Sequence, residues 1–249
     1  MDQIAFFWIG NKIDIPTMLV SSIRLTQGNK IKIIQLSDTK TKKIVGVNEI
    51  IRAELPQDIM SARLKAYSLI DTKSSRTFFC DADTLMLNKL NLNIFKKGIY
   101  LTKRPTNFII NHNYPEYYPE FENKLISDVM PFLFDAIVVI EEENIFTNLF
   151  KICINLEKRF QRWYGDQVSL YLYYLKNKEK FLFFDREKYM DIFTIDLEVS
   201  ESYINNLIGQ KKIFTTFKGP QDNKRILNAL IYLKKIKKSY RFKFLSLFK

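Results

Sequence analysis

The sequence predicts an α/β protein, a sandwich of helices against a central sheet that ends in a basic amphipathic helix. Two observations carry this. Short apolar runs alternate along the chain with segments of helical periodicity, the pattern of strands covered by helices. A chain of 249 residues that is 47% hydrophobic can also bury a full core, which suits one large domain with at most an appendage.

Taken in order, Ile4 to Ile9 reads as the first strand, running into Trp8-Ile9-Gly10, and Pro16 to Leu25 as a helix. Ile31 to Leu36 is a second strand and Ile44 to Ile51 a third. Gln57 to Ile70 has helical spacing, with Met60, Leu64, Tyr67 and Leu69 apolar. The strand Thr77 to Cys80 follows and stops at two carboxylates, which are expected to precede a helix. Ile99 to Thr102 and Leu133 to Ile140 are further strands. Between them Asn107 to Asn123, rich in Asn, Pro and Tyr, reads as a surface excursion. Ile145 to Phe160 and Gly165 to Leu175 read as helices, and Phe181 to Phe184 and Lys212 to Thr215 as late strands. From Gln221 to Tyr240 a helix is expected with Ile226, Leu227, Leu230, Ile231, Leu233 and Ile236 apolar.

Composition excludes several classes. Glycine is scarce, at 7 residues, and neither G-x-x-x-x-G-K-[ST] nor G-x-G-x-x-G occurs, which argues against a P-loop NTPase and an ordinary dinucleotide-binding protein. The two cysteines, Cys80 and Cys153, form no CxxC pattern and lie in apolar runs, so they read as buried thiols in a reducing cytoplasm. The start lacks a basic region and a long apolar stretch, so no signal peptide is expected, and no apolar run is long enough to span a membrane. The net charge is +12, yet beyond Asp222 nine basic residues occur without one acid. The basicity therefore belongs to the C-terminus.

The most informative stretch is Phe78-Phe79-Cys80-Asp81-Ala82-Asp83-Thr84-Leu85. In extended backbone, residues two apart point to the same side, so Asp81 and Asp83 are expected to converge at the end of a buried strand. Two like charges held together call for a compensating cation or hydrogen-bond network. A hard divalent ion, Mg²⁺ or Mn²⁺, is the natural partner, and such ions keep positions open for diphosphate oxygens.

With Ser61-Ala62-Arg63-Leu64-Lys65 upstream, this stretch resembles the heart of glycosyltransferase family 8, whose members share the GT-A fold and use nucleotide-sugar donors. Further pieces match in order. Trp8-Ile9-Gly10 corresponds to the loop after the first strand. Phe134-Asp135-Ala136-Ile137-Val138-Val139-Ile140 is similar to the family's Phe-Asn-Ala/Ser-Gly strand. Gly165-Asp166-Gln167 matches its Asp-Gln motif, and Phe217-Lys218-Gly219-Pro220 its late His-Phe-x-Gly segment. The likeness covers about residues 4–220. The DXD-type sugar transferases of capsule synthesis share the opening strand and the carboxylates.

The resemblance implies a GT-A domain over residues 1–220, with a Rossmann-like nucleotide-sugar-binding sheet, and a basic amphipathic tail over 221–249. It implies a hexosyltransferase, retaining in outcome, acting from a UDP-type sugar on a glycan acceptor such as a lipooligosaccharide or capsule precursor. Asp83 and Asp81 would hold Mn²⁺ or Mg²⁺. Trp8, Ile9, Gly10, Arg63, Asp81, Ala82, Asp135, Lys218 and Gly219 would bind the donor, with Asp166 and Gln167 at the reacting centre. The chain departs from the family in two places: Asp135 replaces the usual Asn, and Thr215-Thr216 stand where the late metal-binding His would be.

Other residues are weighed on chemistry alone. Lys65 reads as exposed. His112, the only histidine, supports neither a hydrolase triad nor a zinc site by itself. Tyr114, Tyr117, Tyr118 and Phe121 could stack on an acceptor sugar or pack on their own domain. The tail, closing in Phe242, Phe244, Leu245, Leu247 and Phe248, suits an anionic membrane surface, which would place the protein peripherally on the inner face. Nucleic acid is the weaker partner, since no recognition motif accompanies the charge. Two alternatives remain open at this level: a sugar nucleotidyltransferase, and a non-catalytic membrane-surface binding protein.

Overall fold

The computed structural model describes residues 1–104, 109–110, 121–193, 198–217 and 223–246. Ten strands are described: β1 (Asp2–Phe7), β2 (Lys32–Ser37), β3 (Glu49–Arg52), β4 (Arg76–Cys80), β5 (Thr84–Met86), β6 (Gly98–Lys103), β7 (Phe132–Ile140), β8 (Phe181–Phe183), β9 (Met190–Phe193) and β10 (Phe214–Phe217). The helices are α1 (Asp14–Gln27), α2 (Ile59–Tyr67), α3 (Ile126–Val129), α4 (Phe146–Ile154), α5 (Lys158–Arg162), α6 (Gly165–Lys176), α7 (Arg186–Tyr189), α8 (Glu201–Gly209) and α9 (Asn223–Ser246).

Seven strands form one mostly parallel sheet in the order β3-β2-β1-β4-β7-β6-β8, with β7 antiparallel to both neighbours. The remaining three form a small sheet, β5-β10-β9. This is an α/β architecture compatible with a Rossmann-like fold. From β1 the chain builds outward to β3, then returns to the other side of β1 at β4. Strand order therefore reverses between β1 and β4, and in open α/β sheets ligands bind beyond the carboxyl ends of the strands at such a point.

Alternation along the strands divides the core into two layers. Ile4, Phe6, Phe78 and Cys80 face α1 and the small sheet, with Leu19, Ile23 and Phe214. Ala5, Phe79 and Ile137 face α2, α4 and α6, with Leu64, Tyr67, Phe146 and Leu170. A third cluster joins α1, α8 and α9 through Met18, Leu207, Leu230 and Leu233. The first half of α9 thus packs on the body of the protein. Leu227 and Ile231, expected among its apolar positions, are instead exposed at 47% and 51%.

Several elements differ from expectation for local reasons. Of Ile44 to Ile51 only the end pairs as a strand. Gly46, at φ 92°, bends the chain so that Ile44 and Val47 reach the core from a loop, and the Asn48 side chain accepts from the Ile33 N–H at 2.8 Å. The helix expected over Ile145 to Phe160 divides into α4 and α5, because the chain extends at Glu157 (ψ 148°). Strands β5 and β9 and helices α3, α7 and α8 have no counterpart in the periodicity. Among the described residues no helix is long and apolar enough to cross a membrane.

Both cysteines are buried thiols. Burial is the main force raising Cys80 well above its ordinary value, helped by the charges of Asp81, Asp83 and Asp135, and burial pushes Cys153 up to about 11. A raised pKa means that the folded state binds more protons than the unfolded one between the two values. Stability is therefore full below the unfolded thiol value of about 8.5 and falls as pH rises through 9 to about 11. Both thiols should resist iodoacetamide at pH 8 in the native protein and react on unfolding. Rapid labelling of either in the native state would contradict this burial.

Candidate active site

A cleft of about 620 Å³ opens at the reversal between β1 and β4. β1 delivers Phe7, Trp8 and Ile9 to it. The Trp8 backbone is fixed on both sides, its N–H donating to the Leu36 carbonyl at 3.0 Å and its carbonyl accepting from the Ser37 hydroxyl at 2.5 Å. Gly10 then turns the chain away at φ 108°, with its N–H bonded to Thr41 Oγ1 at 2.8 Å, and lies outside the cleft lining.

Asp81, Ala82 and Asp83 all line the cleft, but not as an extended segment. β4 ends at Cys80. The Asp81 N–H bonds the Asp135 carbonyl across to β7 at 3.1 Å, and the Thr84 N–H closes a turn on the Asp81 carbonyl at 3.3 Å. The chain then enters β5, not a helix, and the Asp83 carbonyl accepts from the Phe217 N–H at 3.2 Å. The carboxylates are presented by a tight turn between two strands, each belonging to a different sheet.

Arg63 organises the centre. It projects from α2 with its guanidinium 4.6 Å from the Phe134 ring centroid. One amino group donates to Asp81 Oδ1 at 2.6 Å, and the other forms an ion pair with Asp166. Asp166 is fully buried at the start of α6 and does not line the cleft, so it acts there through Arg63. Beneath them the Tyr67 hydroxyl donates to the Cys80 carbonyl at 3.2 Å, and burial holds its pKa well above the ordinary phenol value.

Gln167 lines the cleft and accepts from Arg104, whose Nε also bonds the Met130 carbonyl at 2.9 Å. Arg104 and the rim aromatics Trp163 and Tyr164 were not singled out from the sequence. The available signal was slight: Lys103-Arg104 is a basic pair directly after a strand-like run.

Asp135 is displaced from its expected role. It is 2% exposed in a place outside the cleft lining, while the ring of its neighbour Phe134 lies under the Arg63 guanidinium. Its charge is felt there by Arg186 and Cys80. Lys218 and Gly219 lie outside the described residues, as do His112 and the acceptor candidates Tyr114, Tyr117 and Tyr118, while Phe121 packs on Phe160 with ring centroids 5.4 Å apart.

The donor set tests the expected metal. Among the described residues no cluster of three or more His, Cys, Asp or Glu could hold an ion. Asp81 and Asp83 nevertheless offer hard oxygen ligands on one turn in one cleft, which fits Mg²⁺ or Mn²⁺ bound by one or two carboxylates with substrate phosphates and water completing the shell. No protein-family model matches the chain, and no curated protein matches it.

Proposed function

We propose that the chain is a metal-dependent glycosyltransferase of GT-A fold, moving a hexose from a nucleoside-diphosphate sugar to a glycan acceptor with retention. The observation that carries the reading is that Arg63, Asp81, Asp83 and Gln167 share one cleft at the strand-order reversal, with Arg63 held from behind by buried Asp166. These are the residues the family resemblance brings together, drawn from three separate parts of the chain.

In this reading the nucleotide lies against Trp8 and Ile9, where β1 ends. Asp83, with Asp81, would hold Mn²⁺ or Mg²⁺, and the ion would supply neutralisation of the charge gathering on the leaving diphosphate. Arg63 lines the cleft with both amino groups already paired to carboxylates, so it would meet the donor as a guanidinium whose charge Asp81 and Asp166 balance. Its part is to hold the carboxylate turn and α6 at a fixed separation, and Asp166 is thereby a positioning residue. Gln167, oriented by Arg104, reaches the space where sugar and acceptor meet. No strong nucleophile is required if the acceptor hydroxyl attacks from the leaving-group face and a phosphate oxygen takes its proton.

The acceptor is read as a glycolipid. On the outward face of α9 the exposed Leu227 and Ile231 share a stripe with Lys234 and Lys238, a pattern suited to an anionic membrane surface and to peripheral association on the cytoplasmic side. A thermal-shift panel of nucleotide sugars with and without Mn²⁺ tests the central reading. One nucleotide sugar should stabilise the wild type only with metal, and Asp83→Ala should lose that increment while keeping the unliganded melting temperature. Equal stabilisation without metal and in the variant would remove the reading.

A further inference from the structure

The chain has two tryptophans, and both line the same cleft. They belong to different parts of it. Trp8 follows β1. Trp163 lies directly before α6, whose first turn is bound through Gln167 to Arg104 at the end of β6. Two strands, β4 and β7, separate β1 from β6 in the sheet. At one strand spacing each, the ends of β1 and β6 are about 14 Å apart. The ionic centre of Asp81, Asp83 and Arg63 stands between them. The two tryptophans therefore come to the cleft from elements on either side of β4.

Trp163 is 45% exposed, unusual for so large an apolar ring beside a pocket. Its presentation is rigid. Trp163 is extended (φ −149°, ψ 145°), and Tyr164 then takes a left-handed conformation at φ 61°. A non-glycine residue keeps such a backbone only where the surroundings impose it. Here they do. Gly165 is pressed on Phe160, and Asp166 is tied to Arg63. The two rings meet edge to face, with centroids 6.3 Å apart at 66°. Beside them Gln167 and Arg104 supply amide and guanidinium groups to the cleft wall.

An indole face next to fixed polar groups matches a pyranose ring, which offers a C–H face to the electron-rich ring and hydroxyls around its edge. A nucleotide base would stack as readily on an isolated tryptophan. The β1 end, at the strand-order reversal, already provides the nucleotide's place. On the transfer reading above, we infer that Trp163, supported by Tyr164, is the stacking platform for a pyranose of the glycan acceptor, with Gln167 and Arg104 bonding its hydroxyls.

The full chain labelled with 5-fluorotryptophan tests this, since two ¹⁹F resonances are expected and Trp163→Phe assigns them. The probes are UDP and GDP with diamagnetic Mg²⁺, and a saccharide set of methyl β-galactoside, lactose and maltose. A nucleotide should shift the Trp8 resonance and leave that of Trp163 in place. A saccharide should shift Trp163, and Trp163→Ala should weaken its binding by about tenfold, the loss of one stacked ring, with nucleotide affinity unchanged. If nucleotides move Trp8 but no saccharide moves Trp163, or if a nucleotide alone moves Trp163, the platform is refuted and the transfer reading stands. If no nucleotide moves either resonance, the transfer reading itself fails.

Discussion

Arg63→Met is expected to lower the melting temperature by on the order of 10 °C and to abolish donor binding. Asp166 is fully buried, and the Arg63 side chain, 15% exposed, is its ion-pair partner. Removing one member of a buried pair leaves the other charge without compensation and costs about 3–5 kcal/mol. In a chain of this length each kcal/mol moves the midpoint by roughly 2–4 °C. Arg63→Lys should fall between the two, because a point charge cannot span Asp81 and Asp166 as a planar guanidinium does. The double variant Arg63→Met with Asp166→Leu should regain most of the stability, since apolar replacement of a buried pair is often neutral, but none of the donor binding. Denaturation of wild type, Arg63→Met, Asp166→Leu and the double variant forms a double-mutant cycle. An Arg63→Met protein within about 1 kcal/mol of wild type would show that Arg63 is solvated surface.

The inner strands β1, β2, β4, β6 and β7 were legible because each is a largely apolar run long enough to cross a buried layer. β5 was not. It has three residues, follows two carboxylates, and gains its identity only by pairing with β10, far along the chain, Leu85 opposite Thr215. β9 carries Asp191 within it, and that side chain accepts from the Tyr203 hydroxyl at 3.0 Å, so local composition conceals the strand.

The candidate site divides along similar lines. Arg63, Asp81 and Asp166 were found through motifs, yet their direct contact is a matter of tertiary placement and has no local signature. Arg104 was missed because what brings it to the cleft is its bond to Gln167, 63 residues away. The exclusion of Asp135 was not available from strand periodicity either, because a register shift interrupts the alternation of β7 between Leu133 and Ile137. In the carboxylate turn, extended geometry was assumed through Asp83, three residues beyond the end of β4 at Cys80.

Gly165→Ala should destabilise the fold and disturb the site together. A Cβ at this position would overlap the Phe160 carbonyl oxygen, with the carbonyl carbon at 2.9 Å and Cys153 Sγ at 3.0 Å. Gly165 has no left-handed backbone, so the requirement is for space alone. The obstructing oxygen is backbone on α5, which cannot turn aside as a side-chain tip can. α6 would have to withdraw, taking Asp166 from Arg63 and Gln167 from Arg104. Overpacking of this kind costs about 1–3 kcal/mol, and the strained Tyr164 turn gives little room to absorb it. Gly209→Ala is the matched control. Gly209 ends α8 with open space for 4 Å around the position a methyl would take, so removing its backbone freedom should be neutral or stabilise by a few tenths of a kcal/mol. The comparison separates crowding from the general effect of replacing glycine in a helix. Gly165→Ala should show a lower midpoint and weaker nucleotide-sugar binding, Gly209→Ala neither. Were the two variants to melt alike, α6 would not be pressed on α5, and close packing could not be what holds Asp166 against Arg63.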